Sequence, residues 1–581
     1  MPWEATSNAE FLNNRIVVQI SRLGVVMSQR STLRCLIAVS IFLAGSCVLQ
    51  GQDVSCDVEH VPTDAAAKAY AQHQYSSALQ LYSDEVKKNP QDTAAVAGEV
   101  RALLATNAVD AAAQIAELNV AAHPKDALLV VALGEVRFRQ GDIHEAALQY
   151  DKALGLNPCL ARLRYDMYQF LWMQSMRASA FKQLTVAYQL MPDDPEIQFA
   201  WTNHLPLRER VAAIDSAVIK NSGGTKESRA NLMSLDARLH AILSAKSGGC
   251  RLETKAATTT LPFVYLLTAN DIRRFQGIGF DIRVNGKASA RLELDTGASG
   301  ILLNRVTAKK AGLVPIASDK IWGIGNHDAA SGYWAYVDSL QVGGVNFHNC
   351  MVEVSDQRSV VGIDGLIGAD TFENFHVTMD MPLRQMTLSP LPTRPGEAAK
   401  PIMLNAAGVS AATVASGETS AGTTRHPTIL YHDPYIAPEM KDWTPFYRFG
   451  HEILLPGTLK DRKPRLFLLD SGAYSTCLSI RAAKSIGKIH ADYDAGIRGL
   501  SGEVDKVYRV DSADLIFANL HDPLRQIVAF NLDGLGNYET PMLSGIIGLD
   551  TLMMLTIDID YRDGLIHLNY DPKHGYNVWT H

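Results

Sequence analysis

Cysteine is scarce, at 7 in 581 residues, and no two stand at the close spacing of a metal-binding pair. That excludes a dense disulfide framework and a cysteine-based metal centre. Positive charge is not in excess either. A net charge of −7 and a pI near 6.2 leave no basic footprint, which excludes nucleic acid as the main partner. The apolar run Cys35–Leu43 is too short for a membrane span. Histidines such as His327 and His348 have no companion at ligand spacing, so neither metal nor cofactor is expected.

What is present near the start is a targeting signal. Arg30 and Arg34 precede the Cys35–Leu43 run, and small residues Ala44, Gly45 and Ser46 follow it. Residues 1–51 are read as this segment, with Met27 as the natural start and cleavage near Ser46 or Gly51. Leu43–Cys47 also has the outline of a bacterial lipoprotein box, so membrane attachment through Cys47 stays open beside a periplasmic or secreted location. Beyond it remain Cys56, Cys159, Cys250, Cys350 and Cys477, which allow one bridge without saying which. Cys477 has no histidine placed to activate it and is read as core.

Length predicts two to four domains. Residues 59–245 are Ala-rich and helical in pattern. Prolines at 90, 124, 158 and 192, and alanines at 78, 112, 146 and 180, share a 34-residue period. This period marks a helix-turn-helix solenoid in which alanines admit close helix packing and proline ends each second helix. Gly134, Gly141, Ala146, Tyr150, Ala153 and Pro158 resemble the tetratricopeptide (TPR) pattern. Such a solenoid is expected to bind a protein partner or substrate protein.

Residues 246–264 read as a linker. Strand signals then fill 265–390 and 427–572, separated by an Ala/Ser/Gly/Thr-rich connector at 391–426. Phe280–Val284, Asn285-Gly286 and Ala288–Leu294 predict a hairpin with a primed turn.

The two strand-rich units are copies. Asp-Thr-Gly-Ala at 295–298 and Asp-Ser-Gly-Ala at 470–473 each follow an apolar run, and a glycine (Gly312, Gly487) follows each aspartate by 17 residues. Val-Asp-Ser recurs at 337–339 and 510–512, and Leu366-Ile-Gly-Ala-Asp-Thr371 matches Ile546-Ile-Gly-Leu-Asp-Thr551. Gly297 and Gly472 are assigned to the tight turn that presents each carboxylate.

These repeated motifs resemble the aspartic peptidases, over roughly 276–570. The resemblance implies an all-β bilobal acid-protease fold behind the all-α solenoid, and an endopeptidase acting on polypeptide. It also implies Asp295 and Asp470 as the catalytic dyad, with Thr296 and Ser471 bonding across the lobe interface. Two carboxylates so close share one proton and titrate as a pair. Ala298 and Ala473 stand where pepsin-like enzymes usually carry a hydroxyl, which predicts a raised dyad pKa and a weakly acidic optimum. Trp322, Gly323 and Gly325, and Gly499 and Gly502, are the candidate flaps, one per lobe. Tyr474 places a bulky ring where a small residue is common. Asp370 and Asp550, repeated with the same symmetry, read as helix N-caps. The alternative from another class is a peptide-binding scaffold whose lobes no longer cut.

Overall fold

The structure is a computed structural model that describes residues 56–573, except 221–225, 245–249, 255, 269–270, 326–328, 361, 398–412, 415–428, 494, 534 and 536–539. The predicted signal segment, Cys47 and most of the 391–426 connector lie outside the described residues.

The solenoid opens with α1 (Ala65–Ala71), α2 (Tyr75–Lys88), α3 (Thr93–Ala105), α4 (Val109–Ala122), α5 (Ala127–Arg139) and α6 (Ile143–Leu156). It continues with α7 (Ala161–Met173), α8 (Arg177–Leu190), α9 (Pro195–Asn203), α10 (Leu207–Lys220) and α11 (Lys226–Ser244). The period has a local cause. Asn89, His123, Asn157 and Met191, each one residue before a repeat proline, are extended, with φ from −128° to −147°. Proline disfavours the helical region for the residue before it, so each second helix ends there. Two residues past the proline, Asp92, Asp126 and Asp194 cap the next helix through their carboxylates. The turns inside each pair are left-handed at His73, Asn107, Gly141 and Ser175, again 34 apart. A methyl group at Gly134 would stand 2.7 Å from the Tyr150 ring, which explains that glycine.

The edge formed by these turns is occupied within the chain. Arg139 donates to the Thr540 carbonyl at 2.5 Å and to Asn107 at 3.0 Å, and its own carbonyl accepts from Met542 N–H. Arg481 pairs with Asp110 at 2.6 Å. Leu454, Leu466, Leu468, Phe530, Met542 and Ile546 of the second lobe share one core with α3–α7. Further along, Ser179 holds Asp433, Tyr431 enters the ring cluster of Trp172, Phe181 and His204, and Arg238 of α11 stacks on Trp334 of the first lobe. The solenoid therefore touches both lobes, and its edge at the Gly141 and Ser175 turns is buried against the second.

The lobes repeat one topology. In the first, Gly365–Gly368 runs parallel to Ala288–Asp295 and antiparallel to Ile301–Asn304. In the second, Gly545–Ile547 runs parallel to Arg465–Leu469 and antiparallel to Cys477–Ser479. A six-stranded sheet joins the lobes, with His376–Asp380 of the first paired to Leu555–Asp560 of the second and Met379 opposite Ile557. Both residues are fully buried, so the joint between lobes is core. The Asn285-Gly286 turn has positive φ at both residues, 50° and 64°, as a primed hairpin requires.

Three expectations are corrected. The 246–264 stretch is not a linker throughout. Arg251–Thr254 pairs with Val345–Ser355, and Thr259–Pro262 closes the edge of the joining sheet. There are two disulfides, Cys56–Cys159 and Cys250–Cys350, separated in sequence by 103 and 100 residues. Folding, not spacing, brings such distant cysteines together. Asp370 and Asp550 do not cap helices; they brace loops, as described below.

Candidate active site

Strand period sets the first half of the site. Ala290, Leu292 and Leu294 enter the core, so Asp295 emerges on the other face, directly before the turn. Asp470 follows the fully buried Arg465–Leu469 strand in the same way. The two turns meet and interlock. Thr296 Oγ1 donates to the Leu469 carbonyl at 2.7 Å and accepts from Ser471 N–H at 2.9 Å. Reciprocally, Ser471 Oγ donates to the Leu294 carbonyl at 2.7 Å and accepts from Thr296 N–H at 3.1 Å. Thr296 and Ser471 are buried, so loss of any of these bonds would strand a polar group out of water.

Gly297 and Gly472 serve close approach, not a left-handed turn, since neither has positive φ. A methyl group at Gly297 would lie 2.9 Å from Asp470 Cγ, and one at Gly472 would lie 2.5 Å from Asp295 Cγ. Each motif's glycine thus makes room for the other lobe's carboxylate.

The two acids are bonded to each other and unequal. Burial raises both carboxyls above the ordinary range, and Asp295, facing the charge of Asp470, rises well above it. Asp295 accepts one backbone N–H, from Gly297 at 2.8 Å. Asp470 accepts two, from Gly472 at 2.9 Å and Ala473 at 3.0 Å, as well as the hydrogen bond from Asp295. More donors on Asp470 favour its anion, leaving the shared proton on Asp295.

Outer contacts hold the turns. Asp370 accepts from Gly300 N–H at 3.0 Å, while Asp550 accepts from Thr476 N–H at 2.8 Å and Thr476 Oγ1 at 2.9 Å. His451 Nε2 lies 3.0 Å from the Gly297 carbonyl and must donate, since a carbonyl only accepts. It ties the second lobe to the first lobe's turn.

The flap segments meet each other. Gly323 N–H donates to Ser501 Oγ at 3.2 Å, and Ser501 N–H to the Ile324 carbonyl at 3.0 Å. Arg498–Gly499 and Gly502–Glu503 form the second flap's hairpin. Gly325, at φ 140°, lies so near Ser501 that a methyl group would come within 2.2 Å of its backbone. Trp322 is 64% exposed and Tyr474 47% exposed, so neither is packed into a core. Cys477 is buried and free, and burial raises its thiol far above the ordinary range, which suits core rather than chemistry. Among the described residues, one trio of metal-ligand type, Asp215, Asp236 and His240, sits on α10 and α11, where His240 pairs with Asp215 at 2.8 Å.

Sequence reading missed Glu293, His451 and Glu452, which surround the dyad. Glu293 carried a signal: a charge within Leu292-Glu293-Leu294, on the same strand face as Asp295. His451 carried none, because its counterpart 19 residues before Asp295 is Gln276.

Paired lobes, crossed parallel strands and the reciprocal grip define the bilobal acid-protease fold. Residues 280–371 match the aspartyl protease family model, a span that takes in Asp295 and ends at Thr371. No curated relative matches the chain. Among solved structures, an aspartic proteinase from Irpex lacteus is similar at 12% identity, covering 54% of this chain and 98% of its own, with a TM-score of 0.32. A thermophilic TPR protein of Thermus thermophilus is similar at 24% identity over 30% of this chain and 95% of its own, with a TM-score of 0.25.

Proposed function

We propose that the protein is an aspartic endopeptidase whose dyad, Asp295 and Asp470, comes from one chain. The observation that carries this reading is the reciprocal Thr296–Ser471 grip, which holds two carboxyls in mutual hydrogen bond at the lobe interface. A water held between them gives a proton to the Asp470 carboxylate as its oxygen attacks the scissile carbonyl carbon. Asp295 gives its proton to the carbonyl oxygen, forming a neutral gem-diol. Proton transfer to the leaving nitrogen, as the carbon–nitrogen bond breaks, yields acid and amine and restores the shared proton. The flap contact across Ser501 would open to admit a chain and close over it.

The raised dyad supports a weakly acidic optimum. Activity requires one shared proton, so the alkaline limb falls where that proton leaves, above the ordinary carboxylate range. The solenoid's role would be to hold the lobes and to receive a protein on faces other than its turn edge. Export is proposed from the N-terminal signal, and two disulfides suit an oxidising compartment.

Digestion of a peptide library from about pH 3 to 8, with and without a statine-type inhibitor, tests the reading. Inhibitor-sensitive cleavage with a weakly acidic maximum is expected. Binding without turnover would favour the scaffold alternative, and a maximum below about pH 3 would contradict the raised dyad.

A further inference from the structure

One buried acid beside the dyad has no part in that hydrolytic scheme. Glu293 lies two residues before Asp295, so strand period puts both side chains on the same face, away from Leu292 and Leu294 in the core. It is 4% exposed. Its carboxyl rests over Gly277 of the paired strand, where a methyl group would stand 2.2 Å from Oε1, so a side chain at 277 would displace it. Among the described residues it has no hydrogen-bond donor and no cation; the charge it meets is that of Asp470, of its own sign. An acid held out of water without a partner is costly, and a cation would relieve that cost.

The second lobe does not repeat this arrangement. Leu468 stands in the place of Glu293 and is buried in the core shared with the solenoid. The acid there is Glu452, in the place of Gly277; burial raises its carboxyl too, but His451 beside it works against that rise. Among the described residues, nothing beside Glu293 works against the rise in this way.

Resting on the endopeptidase reading, we infer that Glu293 is a specificity-determining residue that selects a lysine or arginine side chain of the substrate next to the scissile bond. An ammonium or guanidinium group supplies the missing partner as a charge-assisted hydrogen bond. An aliphatic side chain leaves the acid unpartnered, and sites built around an unmet polar group discriminate strongly against ligands that cannot meet it.

The test uses the full chain and peptides in which the residue on either side of the scissile bond is, in turn, lysine, arginine, norleucine or glutamate. Wild type should favour lysine or arginine over norleucine at one of these positions by at least about tenfold in kcat/KM. Glu293→Gln, nearly isosteric, should bring that ratio to within about threefold while norleucine peptides are cut at least as well. No basic preference in wild type, or an undiminished preference in Glu293→Gln, overturns the inference. Asp295→Asn run alongside separates the two ideas: full cleavage by that variant sinks the dyad and leaves the specificity comparison to be read on its own. If wild type cuts none of the peptides, calorimetry with statine-type peptides carrying lysine or norleucine replaces turnover. Tighter lysine binding that is lost in Glu293→Gln supports the subsite, and equal or absent binding overturns it.

Discussion

At the scale of single residues, the site depends on buried polar groups that satisfy one another across the lobe interface. Thr296→Val keeps shape but removes the hydroxyl that Ser471 N–H and the Leu469 carbonyl both use. It should cost about 1–3 kcal/mol for each partner left unmet, seen as a lower thermal midpoint, whereas Thr296→Ser should stay near wild type. Glu293 gives a pH signature. Burial, with the nearby Asp470 charge, raises its carboxyl from 4.5 to about 8 in the fold. A raised acid favours the fold fully below its unfolded value, and that contribution is lost as pH climbs to the folded one. Denaturant titrations from about pH 4.5 to 8 should therefore show Glu293→Gln gaining on wild type by a few kcal/mol, and parallel curves would count against an unpartnered acid. The aspartates and their neighbours were legible because the motif occurs twice. Their glycines do sit in the tight turns read from the sequence, but their close approach to the opposite carboxylate appears only once two segments 175 residues apart are in contact.

At the scale of elements, the flaps are coupled through a few backbone contacts. Gly325→Val should keep the flap tips from meeting Ser501, because both φ of 140° and the 2.2 Å approach exclude a side chain. A misplacement of this size near reacting groups costs on the order of 10²-fold in rate, so kcat/KM should fall steeply while the thermal midpoint hardly moves. Unchanged kinetics would remove the flap pairing from the catalytic cycle. Helix ends were legible from proline, and the primed hairpin from Asn-Gly, since both act on local backbone angles. The strands Arg251–Thr254 and Thr259–Pro262 were not, because four residues show too little alternation and their pairing partners lie far along the chain.

At the scale of the whole molecule, the helical half is joined to the two-lobed half instead of hanging from it. Arg139, 4% exposed, spends its guanidinium on Thr540 and Asn107, and the solenoid turns share a core with the strand that leads to Asp470. A repeat pattern in sequence predicts the solenoid but not which face is consumed, because that depends on the shape of another domain. The same continuity makes the site a property of one chain, with both aspartates contributed by lobes that share a six-stranded sheet.

That claim is tested most directly by assaying Asp295→Asn, Asp470→Asn and an equimolar mixture of the two against wild type on one peptide. Each variant should lose cleavage by about 10²–10⁴-fold, and the mixture should stay as inactive as its components. Activity restored on mixing would assign the dyad to two chains, and activity kept by either variant alone would contradict a shared proton between these carboxyls.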